Sequence, residues 1–280
     1  MPNNTVHAAL DDCRRDLHAW GQANQVTFDP AKESMHIISR RTAYGNNFTI
    51  LGIEFDNKLV MRDAVHLCAI EAGWRIKSIL RPRRYFKDTE LVSLYKTHAL
   101  SHIEYRTPGV AHASVSILSE IDRLQTRFLR DIGISELEGL MVFNLAPLAT
   151  RRHIALLGVI HRCVLEKGPP HFQSFFPRVE VHSYYQTRIS EHFHGRRIAE
   201  FQATHQPELF RRSLFGAAPI YNILPPWVVF AGSVSVFQKR LQRLVRIRAE
   251  AGREDWQRTL CWDQSFNRHP LNSDRTLLIA

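Results

Sequence analysis

Cationic side chains recur at helical spacing where the sequence has its clearest helical pattern. Arg123, Arg127 and Arg130 are four and three residues apart, so in an α-helix they share one face. The apolar stripe beside them consists of Ile117, Ile121, Leu124 and Phe128. A row of cations can follow a phosphate backbone, because each neutralised phosphate releases counterions. The arginine row therefore predicts contact with nucleic acid, and its alternative is a solvated helix face.

A second row of cations lies nearer the end of the sequence. Lys239, Arg243 and Arg246 have the same spacing, in a predicted helix that begins after Ser233, a favourable N-cap residue. The apolar face of that helix consists of Val234, Phe237, Leu241, Leu244 and Val245. This row is a weaker prediction of phosphate contact, again with a solvated face as the alternative.

The sequence contains aspartates and histidines, which commonly carry catalysis, but their spacing does not suit a catalytic or metal site. Adjacent aspartates such as Asp11-Asp12 can hold two catalytic metal ions, but this pair lies in a helical pattern directly before Arg14-Arg15, which favours a solvated face. The segment His192-Phe193-His194 and the distant His182 have no carboxylate or thiol at metal-binding spacing. The sequence contains no glycine-rich phosphate loop and no GxSxG turn. We therefore predict no metal site and no catalytic constellation from these residues.

The net charge of +10 over 280 residues is concentrated in the second half of the chain. Residues 1–150 hold 18 basic and 17 acidic side chains, whereas residues 151–280 hold 19 basic and 10 acidic side chains. Such an arginine-rich surplus indicates a polyanionic partner, and a basic protein without such a partner is the alternative. Nucleic acid is favoured over a membrane surface, because no amphipathic anchor is visible in the sequence. No apolar stretch approaches the roughly 18 residues of a spanning helix either.

The cysteines and the first residues indicate an intracellular protein. Cys13, Cys68, Cys163 and Cys261 have neither the spacing of a disulfide framework nor that of a zinc site. Residues 1–10 lack the basic and apolar segments of a signal peptide. We expect reduced thiols and a nuclear or cytoplasmic location.

Hydrophobic periodicity predicts a mainly α protein with a small antiparallel β-hairpin near its start. The helices expected before the arginine row cover residues 5–23, 63–80 and 88–105. Pro108-Gly109 is expected to break the chain. The β-prone runs 35–39 and 49–55 are expected to pair through a turn at 44–47.

The second half of the chain is predicted to continue as helices. The helix with the arginine row is expected to end at Ile132-Gly133, and a loop is expected at 135–139. Pro147 is expected to open the next helix, which carries Ile154, Leu157 and Ile160. Residues 168–210 have weak periodicity.

Two motifs near the start resemble part of the reverse transcriptases of non-LTR (LINE-type) retrotransposons. The segment Trp20–Glu33 is similar to the W…N…F(N/D)xxK stretch of that family, which follows the catalytic aspartates on the palm. About twenty residues later, Leu51–Asp56 is similar to the LGI motif of the primer grip. In the family, this hairpin holds the 3′ end of the growing strand.

The resemblance continues along most of the chain. Segments 91–105 and 118–133 are similar to two helices of the family's thumb, and 145–152 is similar to a pattern downstream of it. Residues 212–225 and 235–241 are similar to the tails of these open reading frames. The order and spacing of the motifs, rather than any one of them, carry the resemblance.

The resemblance implies an α+β palm remnant followed by a helical thumb and a helical C-terminal region. The implied domains are a palm remnant with the primer-grip hairpin, a thumb, and a basic C-terminal region, over residues 1–60, 61–135 and 136–280. Lys32 would face the phosphates of the incoming nucleotide in the intact enzyme, and Leu51, Gly52 and Ile53 would support the primer end. The implied partners are RNA and DNA as a template–primer duplex, together with the N-terminal portion of the polymerase.

The chain departs from the family at its catalytic motifs. The family's metal-binding aspartates belong to motifs that precede the helix at 5–23, and Asp11-Asp12 is not the (F/Y)xDD turn. Without two carboxylates there is no clamp for the metal pair of nucleotidyl transfer. We therefore expect this chain alone to be inactive and to hold no cofactor, with Mg²⁺ needed only by the intact polymerase. The alternatives are a non-enzymatic nucleic-acid-binding module, a helical interaction module, and a decayed fragment without function.

Overall fold

The computed structural model describes residues 3–39, 41–179, 194–200, 207–262 and 269–273. These residues are mainly helical and include one antiparallel sheet of two strands, which confirms the coarse fold class predicted from the sequence. The chain divides into two compact units, residues 1–64 and 65–280. The further division at residue 135 stays a prediction. Within the described ranges, no helix is both long and apolar enough to cross a membrane.

The first unit contains one long helix and a short hairpin. Helix α1 (Asn3–Ala23) confirms the helix predicted over 5–23. It is followed by a single 3-10 turn, Pro30–Lys32, in which the backbone amide of Ala31 donates to the Asp29 carboxylate at 3.0 Å. Strands β1 (Phe48–Ile50) and β2 (Ile53–Phe55) pair antiparallel, and the rings of Phe48 and Phe55 stack across them with centroids 5.6 Å apart.

The position of the hairpin turn differs from the prediction. The two strands are joined by Leu51 and Gly52, which have φ values of +49° and +75°. Two positive φ values are the signature of the tight type I′ turn, whose twist matches that of the strands. The expected turn at 44–47 was wrong, since the run 35–39 contributes only an isolated bridge between Ile37 and Tyr44. The run 49–55 is therefore not one strand but most of the hairpin itself.

Helix α2 opens the helical part of the chain, and the helices that follow position the arginine row. Their bounds are α2 (Arg62–Leu80), α3 (Asp88–Leu94), a π-helical stretch (Tyr95–Leu100), α4 (Ser101–Val110) and α5 (Val115–Asp131). Pro108-Gly109 was expected to break the chain, but both residues lie in the last turn of α4. In a last turn, proline removes one backbone hydrogen bond without affecting a following turn.

Helix α5 is held by a buried contact to the π-helical stretch. The ring of Tyr95 stacks on Phe128 with centroids 4.4 Å apart, and its hydroxyl donates to Gln125 Oε1 at 3.2 Å. Gln125 Nε2 in turn donates to the carbonyl of Ala146 at 3.0 Å. Burial raises the pKa of the Tyr95 phenol, so the hydroxyl stays protonated as a donor. These contacts fix which face of α5 points inward.

The remaining helices form the second half of the chain. Their bounds are α6 (Glu136–Met141), α7 (Leu148–Val164), α8 (Pro170–Gln173), α9 (Pro207–Arg212), α10 (Ala218–Asn222), α11 (Pro226–Val229), α12 (Val234–Glu250) and α13 (Pro270–Ser273). The loop expected at 135–139 was wrong, because Ser135 caps α6 by accepting from the Glu138 amide at 3.1 Å. The core of this half packs α7 against α10 and α12, with Leu157, Tyr221 and Phe237 buried at its centre.

Candidate nucleic-acid interface

The three arginines of α5 form one exposed face, which we name the α5 basic face (Arg123, Arg127 and Arg130). The opposite side of α5 is buried and consists of Leu118, Ile121, Gln125, Phe128 and Leu129. Among the residues that the structure describes, none forms an ion pair with these three guanidinium groups. The neighbouring Asp122 is engaged by Arg152, whose two terminal nitrogens donate to it at 2.6 and 2.8 Å. The face therefore presents three guanidinium groups to solvent, none of them in an ion pair with a described residue.

A groove between α2 and α5 extends the basic face. It has a volume of about 370 Å³ and is lined by Ala69, Ile70, Gly73, Trp74, Lys77, Glu120, Arg123, Leu124 and Arg127. We name it the α2/α5 groove. Trp74 is 59% exposed, and Lys77 Nζ lies 5.0 Å from the centroid of its ring. The groove therefore combines cations with an aromatic surface, the combination that nucleic-acid grooves use.

One end of the groove carries an acid. Glu120 Oε1 lies 2.7 Å from His66 Nδ1, a contact that ties α5 to the start of α2. Between the two helices, Gly73 faces Leu124, and a Cβ added at Gly73 would lie 3.9 Å from Leu124 Cδ2, an ordinary contact distance. The negative charge of Glu120 marks the end of the surface that can receive phosphate.

The other end of the groove carries more cations. The segment after α2 places Arg83 against the end of α5, where it donates to the carbonyl of Asp131 at 2.9 Å. The guanidinium of Arg84 stacks over the ring of Tyr85 at 4.7 Å. These residues and Arg81 are exposed. Sequence reasoning missed Trp74, Lys77 and this segment as parts of a site, although the run Arg81–Arg84 beside a helix end is a visible signal.

The second row of cations does not form one uniform face. Lys239 is exposed and lines a cleft of about 470 Å³ between α4, α7 and α12. Arg243 lies 5.9 Å from the ring of Trp227, and Arg246 donates to the carbonyl of Met141 at 3.0 Å. Arg246 thus holds α12 against α6, which reduces its availability for phosphate.

The residues predicted in the first unit lie near one another. Lys32 is 85% exposed, with Nζ 3.7 Å from Asp29 Oδ2, and it lines an open groove of about 1060 Å³ together with β1. Leu51 is 79% exposed at the tip of the hairpin, beside Gly52, whereas Ile53 is buried. The structure therefore brings Lys32 and the hairpin to neighbouring positions within this unit.

The aspartate pair and His194 are engaged in contacts within the fold. Asp11 and Asp12 form exposed ion pairs with Arg14 and Arg15, one turn later on α1. His194 is buried, with Nε2 2.8 Å from the carbonyl oxygen of Tyr221, whereas His182, His192 and Phe193 lie outside the described residues. Within the described part of the chain, no three metal-binding side chains come together.

Comparison of the chain with known proteins found no relative. The chain matches no family model, no curated protein and no solved structure. The α5 basic face and the α2/α5 groove are therefore the observations on which an assignment of function depends.

Proposed function

We propose that the chain binds a nucleic-acid duplex through the α5 basic face and the α2/α5 groove. The observation that carries the proposal is the row of three exposed arginines without acidic partners among the described residues. A structural arginine is normally paired, as Arg152 is with Asp122. Three adjacent cations that are not paired repel one another and favour an anion that can lie along all three.

The spacing suits a phosphate backbone. From Arg123 to Arg130 the helix rises about 10 Å, and one strand of a duplex presents a phosphate about every 3.4 Å of its axis. A strand that runs along α5 can therefore offer one phosphate to each arginine. Lys77 adds a fourth cation from α2, and Trp74 adds an apolar surface for the sugars. Such contacts position a duplex without reading its sequence.

The resemblance to non-LTR reverse transcriptases gives the proposal its finer form. In it, the second unit begins with the thumb, which holds the template–primer duplex of RNA and DNA, and the first unit is the end of the palm with the primer grip. Lys32, Leu51, Gly52 and Ile53 then belong to the polymerase site that the rest of an intact enzyme completes. We assign no catalytic step and no Mg²⁺ to the residues of this chain.

Salt dependence tests the proposal. The variant R123Q/R127Q/R130Q is expected to bind a 20-base-pair RNA–DNA hybrid more weakly, as measured by fluorescence anisotropy from 50 to 300 mM salt. Loss of three phosphate contacts should reduce the slope of log Kobs against log salt by about 2.7, at about 0.9 for each contact in a duplex.

A matched variant removes the same charge elsewhere. Arg14, Arg15 and Arg211 each pair with an acid one turn away, so R14Q/R15Q/R211Q lowers the net charge equally and is expected to keep the slope. Equal losses of slope in both variants would show diffuse attraction instead of a defined face. Failure of the parent chain to bind the hybrid would refute the proposal.

A helical interaction module is the competing function. Leu67, Ile70 and Trp74 are exposed at helical spacing on α2, and an apolar row of this kind also suits a partner helix. Trp74→Ala separates the two functions. It is expected to weaken binding of the hybrid if Trp74 contacts nucleic acid, and to leave it unchanged if the apolar row serves only a protein partner.

A further inference from the structure

A further cavity lies away from the α5 basic face and is lined by other residues of α5. It has a volume of about 230 Å³ and lies between α5, α7, α9 and residues 261–262. We name it the α7/α9 pocket. Its walls are mostly apolar and include Val115, Leu118, Leu156 and Trp262. Pockets of this character usually bind a small molecule, with a few polar groups fixing its orientation.

One cation in this pocket has no counter-charge among the described residues. Arg212 lines the pocket half-buried, and no described residue accepts a hydrogen bond from its fully buried Nε. The two acids among the described lining residues are paired with the other two arginines of the pocket, Glu208 with Arg211 at 2.8 Å and Asp122 with Arg152. An unpaired cation at an apolar wall is unfavourable. The arrangement becomes favourable when an anion enters the pocket.

The opposite wall is aromatic and neutral. The rings of His153 and Trp262 lie 4.4 Å apart, and Cys261 Sγ lies 3.8 Å from His153 Nδ1. Burial, aided by the charge of Arg152, lowers the pKa of His153 to about 3. The imidazole is therefore uncharged at neutral pH and adds no second cation. Among the described residues that line the pocket, the two ion pairs are neutral, so one excess positive charge remains.

We propose that the α7/α9 pocket binds a small organic monoanion with a planar aromatic body. The carboxylate of the ligand accepts hydrogen bonds from Arg212, and its ring lies against Trp262 and the aliphatic side chains. The volume limits the ligand to about one fused ring pair with its acid group. This inference is independent of duplex binding, because none of the arginines of the α5 basic face lines the pocket.

Calorimetry with 2-naphthoate tests the site on the full chain. The neutral 2-naphthamide is expected to bind at least tenfold more weakly, because it loses the charged hydrogen bonds. Inorganic phosphate, an anion without an apolar body, is expected to bind at least tenfold more weakly as well. If 2-naphthoate does not bind, or if phosphate binds equally well, the proposal is overturned.

Two arginines provide a matched pair of variants. R212Q is expected to weaken binding of 2-naphthoate at least tenfold, whereas R14Q, which removes an exposed arginine paired with Asp11 and absent from the pocket lining, should change it by less than twofold. R212K keeps the charge and should retain part of the affinity. Equal effects of R14Q and R212Q would indicate a general charge effect and contradict the assignment.

Stability of the ligand-free chain provides an independent readout. R212Q is expected to raise the melting temperature, because the substitution removes a cation with no counter-charge. A purely structural arginine would have the opposite effect. A lowered melting temperature together with unchanged affinity for 2-naphthoate would therefore overturn the proposal. Binding of the RNA–DNA hybrid is expected to be unchanged in R212Q.

Discussion

A buried histidine makes the stability of the second unit depend on pH. His161 on α7 is fully buried, and its ring stacks on Phe237 with centroids 4.0 Å apart. Its Nε2 lies 3.2 Å from the carbonyl of Ala231 and its Nδ1 lies 3.0 Å from the hydroxyl of Tyr221. Since a carbonyl only accepts, Nε2 carries the proton and Nδ1 accepts from Tyr221. The neutral ring is thus satisfied at both nitrogens.

Protonation of this ring is unfavourable in the folded chain. Burial lowers the pKa of His161 to about 4, and the nearby charge of Arg196 acts in the same direction. The ordinary value in an unfolded chain is about 6.5. Between pH 6.5 and 4 the unfolded state therefore binds more protons, so stability is fully present above this window and falls as the pH falls through it.

The size of the effect follows from the difference in pKa. At about 1.4 kcal/mol for each unit, the difference corresponds to about 3 kcal/mol, reached below pH 4. About 2 kcal/mol of this is lost between pH 7 and pH 5. Burial also lowers the pKa of His194, whose contribution has the same sign. The free energy of unfolding of the parent chain should therefore fall by at least about 2 kcal/mol between pH 7 and pH 5.

Urea unfolding at pH 7 and pH 5 measures the contribution of His161 through a pair of variants. H161Q removes the titrating group, so it is expected to be less stable at pH 7 but to lose about 2 kcal/mol less than the parent between the two pH values. H171Q makes the same substitution at an exposed position of α8 and should follow the parent. If H161Q and the parent lose the same stability, the buried neutral ring is not the source of the pH dependence.

Two further predictions concern the backbone. A Cβ at Gly216 would lie 1.8 Å from the carbonyl oxygen of Arg211, so G216A should lower the free energy of unfolding by about 3 kcal/mol. On α2, a Cβ at Gly73 would meet only Leu124 Cδ2, at an ordinary contact distance of 3.9 Å, so G73A should raise the free energy of unfolding by about 0.5–1 kcal/mol. A tolerated G216A in urea unfolding would contradict the packing. Leu51 has a positive φ, a conformation that suits asparagine better than leucine. L51N should therefore stabilise the hairpin by about 1 kcal/mol. A lowered melting temperature of L51N would argue against strain at the turn.

Elements with both periodicity and end signals were predictable from the sequence. Helix α5 ends where Gly133 takes a φ of +77°, and α12 begins where the Ser233 hydroxyl accepts from the amide of Val236. Pro147 stands directly before α7. In each case a local chemical feature and the apolar pattern agree, so little depends on the rest of the fold.

Elements that depend on tertiary context were not predictable in the same way. Leu51 at the hairpin tip is a poor residue for a positive φ, so propensity pointed instead to the polar segment 44–47. Helix α6 has only six residues, too few for periodicity to emerge. Pro108 is a strong helix breaker in general, but its place in a last turn shows only once α4 is known.

The candidate sites were likewise predictable only where they do not depend on tertiary contacts. The α5 basic face could be predicted because helical spacing alone places three arginines together. The α2/α5 groove could not, because the contribution of Trp74 and Lys77 requires that α2 pack beside α5. Conversely, Arg246 has the spacing of a phosphate contact but binds the carbonyl of Met141. Arg212 could not be predicted at all. It became a candidate only because the nearby acids pair with other arginines, and these pairings are visible only in the folded chain.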